Sequence, residues 1–212
     1  MQHPTPPHQP PSPAGLAPAD FSRRQVLVYA GAALVAGAAL GTCQPAWSQQ
    51  AAEAGAPPLG EAFWAGDRKV RLRHSSGDFI EQPYVLGGRI FPTGYVSLCW
   101  FLRDRVVGDA VTIDVTLLDI LYGIRGWLDY FDVRSEIVAT SGHRNRRRNA
   151  RIEGAALDSR HITGQAVDLY IPGVDPLLVA RFARWLGAGG IGWYPQRGFV
   201  HLDTGTRRSW RG

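Results

Sequence analysis

Seven of the fifteen prolines in this 212-residue chain fall within its first twenty residues, a stretch with one formally charged side chain, Asp20. Such a run lacks the apolar periodicity needed to pack and is expected to stay disordered, so the rest of the chain must supply the fold. Arg23-Arg24 comes next, ahead of an apolar run from Val26 to Leu40 rich in Ala and Gly. That run is shorter than the roughly 20 residues a membrane-spanning helix requires. Paired arginines before a weakly hydrophobic segment read instead as a twin-arginine-type export signal. Ala46-Trp47-Ser48 offers small residues for cleavage after Ser48, and Leu40-Gly41-Thr42-Cys43 is a rival, lipoprotein-like box. The expected division is a leader and signal over 1–48, an Ala/Gly/Pro-rich tether over 49–66 and one domain over 67–212. Its expected compartment is outside the cytoplasm, in the periplasm, with membrane contact only through the signal or a lipid anchor.

Beyond residue 48 there remain 164 residues, with 21 basic and 17 acidic side chains for a net charge of +4. That length suits a single hydrophobic core. Lys69 is the only lysine; so strong a preference for arginine is a compositional habit and weak support for nucleic-acid binding. Two cysteines exclude a disulfide-rich scaffold. Cys99, flanked by Leu98 and Trp100-Phe101-Leu102, is expected to be a buried structural residue.

Local patterning predicts short strands and a few helices. Lys69–Arg73 alternates polar and apolar residues, Ser75-Ser76-Gly77-Asp78 supplies a turn, and Phe79-Ile80 with Tyr84-Val85 returns as a second strand. The segment from Tyr95 to Arg103 leans towards helix. Asp114 is a good N-cap for Leu117, Leu118, Leu121, Ile124 and Leu128, which recur at helical spacing. Ile137–Thr140 and Ala166–Ile171 read as strands. Asp175 caps a helix with Pro176 in its first turn, running to about Leu186. Residues 187–192 read as a glycine-rich bend, and Phe199–Asp203 as the last strand. The class implied is α+β, with a mostly antiparallel central sheet flanked by two or three helices.

Three segments hold the chemically interesting side chains: Ser141-Gly142-His143-Arg144, the run from Ser159 to Asp168, and Phe199-Val200-His201-Leu202-Asp203. His161 and Asp168 are seven residues apart with Gly164 between them as a turn. A loop histidine folding back on a strand carboxylate, joined by His201 from a neighbouring strand, makes a two-histidine, one-carboxylate set with an open coordination position. Mixed nitrogen and oxygen donors suit zinc better than copper or non-haem iron. Taken alone, the same residues also fit a surface hydrogen bond and a satisfied core histidine.

The combined pattern S-x-H-x-x-G-x-A-x-D, preceded by S-G-x-R and followed by G-F-V-H-L-D, resembles zinc peptidases that cut peptidoglycan cross-links. Its closest likeness is to the murein endopeptidase K family, related to D-Ala-D-Ala metallopeptidases and to the hedgehog and lysostaphin-type fold. Asn149-Ala150 and the run Gly190–Pro195 also have counterparts there, and the likeness covers roughly residues 68 to 211. The resemblance implies a zinc-dependent murein endopeptidase, with His161, Asp168 and His201 as zinc ligands and peptidoglycan peptide stems as substrate. The alternatives are a D,D- or L,D-carboxypeptidase and a metal-containing wall-binding module without turnover.

Two positions depart from the pattern. His143 stands where tyrosine is usual, and Gly198 stands where several relatives carry an acidic base three residues before the last histidine. Asp203 is then the candidate base, or equally a partner orienting His201, since residues two apart in a strand share a face. Arg144 is the candidate for stabilising an oxyanion or gripping a substrate carboxylate, with a surface salt bridge as its plainer role. The basic run from Arg144 to Arg151 lacks interleaved aromatics, so it reads as a solvated loop near the site that attracts acidic stems, not as a nucleic-acid surface.

Overall fold

The computed structural model describes residues 59–212. The leader, the arginine pair, both candidate cleavage sites and Cys43 lie outside the described residues. The alternating run after Asp67 forms β1 (Arg68–His74), which turns at Ser75–Gly77 and pairs antiparallel with β2 (Phe79–Leu86). A two-residue β3 (Arg89–Ile90) extends this ribbon. The remaining strands are β4 (Val138–Ser141), β5 (Ala166–Tyr170), β6 (Gly190–Tyr194), β7 (Phe199–Asp203) and β8 (Arg208–Arg211). They join one eight-stranded sheet in the order β3-β2-β1-β4-β5-β7-β6-β8. Among the described residues only β1/β4 and β6/β8 are parallel pairs, so the sheet is mostly antiparallel, as expected.

Five helices accompany it among the described residues: α1 (Glu61–Ala65), α2 (Pro92–Phe101), α3 (Val115–Tyr130), α4 (Arg146–Asn149) and α5 (Pro176–Trp185). Asp114 caps α3 by accepting from the Thr116 N–H at 2.9 Å, and Asp175 caps α5 from the Leu177 N–H at 2.8 Å. These short polar side chains satisfy backbone donors that a helix start leaves unpaired. Leu117, Leu118, Ile120, Leu121, Ile124, Trp127 and Leu128 of α3 are buried. Each such side chain contributes about 1.5–3 kcal/mol on leaving water. The Trp127 ring stacks on Phe182 of α5 at 4.6 Å, which ties the two long helices together. Cys99 is buried, as expected, and accepts the Ile113 N–H.

Strand periodicity separates the two faces of the sheet. Val167, Leu169, Val200, Leu202 and Ile191 belong to the hydrophobic core with α3 and α5. Asp168, His201 and Asp203 alternate with them and face the other way. That second face is covered by the segments around 102–114 and 142–165, so β5 is buried on both sides.

Three expectations are corrected. The end of the stretch read as a tether is helix α1, whose Phe63 stacks on Tyr122 at 4.4 Å and packs against the face of α3. Residues 187–189 turn as expected, but the rest of the glycine-rich bend opens strand β6, where the missing side chain of Gly190 is required because a Cβ there would lie 2.2 Å from Asp203 Oδ2. Phe199–Asp203 is not the last strand; β8 follows it and pairs with β6. Replacing Leu118 by Ala should cost about 2–5 kcal/mol, as for other fully enclosed leucines. Urea unfolding of the variant checks this, and a loss below about 1 kcal/mol would contradict the core placement.

Candidate metal centre

The centre is assembled on a cross-strand row. Ser141 of β4 pairs with Asp168 of β5, which pairs with His201 of β7, which pairs with Gly192 of β6. Direct cross-strand partners present their side chains on one face. His161 arrives from outside the sheet, on the turn that leads into β5. Gly164 shapes that turn with φ +70°, and its lack of a Cβ lets it lie against the Thr112 carbonyl, 2.2 Å from where a Cβ would stand. The Asp114 N–H donates to the Gly164 carbonyl at 3.0 Å and fastens the turn to the start of α3.

His161 Nε2, His201 Nδ1 and Asp168 Oδ1 converge. The separations are 3.1 Å between the two imidazole nitrogens, 3.2 Å from His161 to Asp168 and 2.8 Å from His201 to Asp168. Each imidazole is held from behind. His161 Nδ1 donates to the Gly142 carbonyl at 2.6 Å, and His201 Nε2 donates to Asp203 Oδ2 at 3.0 Å. Those bonds assign tautomers that leave a lone pair on the inward nitrogen of each ring. Two imidazole lone pairs and a carboxylate oxygen therefore face one another in a buried space with no donor of their own. Such a set calls for a cation, and its donor atoms all lie within 4.8 Å of one another. The residues fit a metal ion.

The electrostatics agree. Burial opposes charge on Asp168, but His161, His201 and Arg144 together hold its carboxyl far below the usual range. Burial pushes His161 down, against the pull of Asp168, so it stays a neutral donor. Burial also acts on His201, but its hydrogen bonds to Asp168 and Asp203 outweigh that and raise it.

Arg144 is brought into the site through Asp168. Its Nη2 pairs with Asp168 Oδ2 and its Nε donates to Ser141 Oγ at 2.8 Å. The plainer expectation, a surface salt bridge, is thereby replaced by a largely buried ion pair with the central carboxylate. Asp203 stands elsewhere than a base would. It is fully buried behind His201. Its Oδ1 accepts from the Gly190 and Gly205 N–H groups and its Oδ2 from His201, while the Arg208 guanidinium spans both oxygens. With both oxygens engaged on the far side of the ring, Asp203 has the geometry of the orienting partner and not that of a proton acceptor facing the donors.

Sequence reasoning missed the Gly142 carbonyl, Arg208, and Trp210, whose ring sits 5.3 Å from that of His201. A backbone carbonyl carries no side-chain signature, and Arg208 and Trp210 lie on the strand that went unread. His143 is buried, with Nδ1 donating to the His161 carbonyl at 3.0 Å. It thus braces the same turn from the position where tyrosine was expected.

A family model described as peptidoglycan L,D-endopeptidase MepK matches residues 64–210. The chain is 34% identical over 139 residues to peptidoglycan L,D-endopeptidase MepK of Escherichia coli strain K12, covering 64% of this chain and 75% of that protein. It is 30% identical over 140 residues to the probable peptidoglycan L,D-endopeptidase MepK of Haemophilus influenzae, covering 65% and 75% respectively.

Metal analysis of the purified protein should find one divalent ion per chain, and His161→Ala should reduce that to background. Asp203→Asn should retain the fold but weaken metal affinity by roughly 10–100-fold, the usual effect of losing an orienting carboxylate. Chelator competition measures this, and unchanged affinity would remove Asp203 from the centre.

Proposed function

Because this chain belongs to the peptidoglycan L,D-endopeptidase MepK family, whose model spans residues 64–210, we propose that it is a zinc-dependent endopeptidase hydrolysing peptide cross-links of peptidoglycan. The observation that carries the reading is the convergence of His161 Nε2, Asp168 Oδ1 and His201 Nδ1, each held by a second hydrogen-bonded partner. Two imidazole nitrogens and one carboxylate oxygen are a donor set suited to zinc, and a fourth position is left for water or substrate. Bound there, the ion would supply a Lewis acid for the scissile carbonyl and a water of lowered pKa.

The chain's own residues set up the rest. Gly142 and Asp203 fix the two rings. Arg144 holds the outer oxygen of Asp168, which keeps Oδ1 aimed inward. The same guanidinium lies beside the donors, where charge would build up on a tetrahedral oxygen, and a planar cation suits that task. The bond type we assign is that carried by the relatives' names, between an L and a D centre. Such a substrate lies outside the cytoplasmic membrane, which agrees with Arg23-Arg24 and the apolar run after it as an export signal. No helix among the described residues is long and apolar enough to cross a membrane.

Incubation of the protein with cross-linked muropeptides should release monomeric fragments. Chelator should stop the reaction, added zinc should restore it, and His161→Ala should match the chelated protein. Metal-dependent binding with no new fragments would replace the hydrolase by a wall-binding module.

A further inference from the structure

Beside the metal centre, two loops meet at the C-terminal end of β4. One runs from Asp104 to Asp109 and the other carries Arg144 into α4. Asp104 clamps them together. It is fully buried and accepts the Asn145 N–H at 2.8 Å, the Val106 N–H at 3.0 Å and Arg148 Nη1 at 3.1 Å. Asn145 Nδ2 also donates to Asp109 Oδ2 at 2.9 Å. Between the loops lies a cleft of about 480 Å³ lined by Val106, Val107, Asn145, Arg147, Arg148 and Arg151.

Its lining is unusual in two respects. Val106 is 72% exposed and Val107 54%, an apolar pair left in water. Arg148 is neutralised by Asp104. Arg147 and Arg151, with Arg146 next to them, are exposed and form no ion pair among the described residues. The acidic side chains nearest in the chain, Glu153 and Asp158, are exposed and form no ion pair with these arginines. A cleft with free guanidinium groups on one wall and valine side chains on the other fits a ligand bearing carboxylates on a short aliphatic frame.

The cleft is also in reach of the chemistry. Asn145 follows Arg144, which is paired with Asp168, and Asp109 lies 3.7 Å from His143, which braces the His161 turn. We propose that this cleft is a substrate subsite that binds the free carboxylates of a peptidoglycan stem peptide through Arg147 and Arg151, with Val106 and Val107 against its methyl groups. The proposal rests on the endopeptidase reading and adds to it where the uncleaved part of the substrate sits.

The test uses the full chain with zinc and two soluble probes, a stem peptide with free carboxylates and the same peptide with them amidated. In the double variant Arg147→Glu/Arg151→Glu, affinity for the free-carboxylate peptide should fall roughly tenfold or more, because attraction at two sites becomes repulsion. The amidated peptide should bind both proteins equally and weakly, and raised salt should erase the wild type's advantage. Arg147→Lys/Arg151→Lys should recover most of the affinity. On cross-linked muropeptides the Glu variant should raise KM with kcat unchanged. Equal affinity and equal KM in both proteins, with fragments still released, would overturn the subsite and leave the hydrolase intact. Arginine-dependent binding with no fragments from the wild type would do the reverse.

Discussion

Two hydrogen bonds on the outer sides of two imidazoles decide what this fold can do. The Gly142 carbonyl takes the Nδ1 proton of His161, and Asp203 takes the Nε2 proton of His201. With those protons committed outward, both inward nitrogens are acceptors, and Asp168 places a third acceptor between them. Three acceptors about 3 Å apart in a buried space repel unless a positive charge lies among them. The raised affinity of His201 for a proton is the same demand seen without a metal. An imidazole free to flip would relieve the cluster by rotating a proton inward, and the site would then be a hydrogen-bonded knot with no use for an ion.

Those bonds depend on sheet register. Asp168 opposite His201 and Ser141 opposite Asp168 put the donors and the Arg144 support on one face. A one-residue slip of β5 against β7 would set Val167 or Leu169 beside His201 and bury the Asp168 carboxylate against α3 and α5. The hydrophobic alternation that drives the sheet onto its helices therefore also aims the polar row. On the far side of Gly192, Trp210 reaches towards His201 while its Nε1 donates to Tyr194 at 2.9 Å, so the row ends in an aromatic wall.

Much of this is legible in the sequence. Alternating residues mark β1, short apolar runs mark β2, β5 and β7, and Asp114 and Asp175 announce the long helices because a capping side chain is a local device. The donor trio is legible through its motif, since three residues on separate segments have no local signal. The unread parts are those that tertiary contact decides. Residues 187–192 look like a bend by composition, yet Gly190 and Gly192 are the flat places a strand needs where Asp203 with its arginine, and Trp210, press on it. Glu61–Ala65 has the composition of a tether and becomes a helix because Phe63 finds Tyr122. Asp203 can be assigned to the face of His201 from a spacing of two, but spacing does not say on which side of the ring it stands.

Charge balance at the centre has a consequence for what the site attracts. Each buried carboxylate has its own arginine, Arg144 for Asp168 and Arg208 for Asp203. With neutral imidazoles the inner shell is then formally uncharged, and neither carboxylate strands an unpaired charge in a low-dielectric space. A divalent ion added to a neutral shell keeps nearly its whole charge available to whatever occupies the open position, where a shell of two free carboxylates would have cancelled it. The two arginines thus serve opposite ends. They make burial of the acids tolerable, and with an ion bound they would leave the centre electropositive, beside a cleft whose free arginines carry the same sign. A site built this way would favour anionic groups at both the open position and its flank.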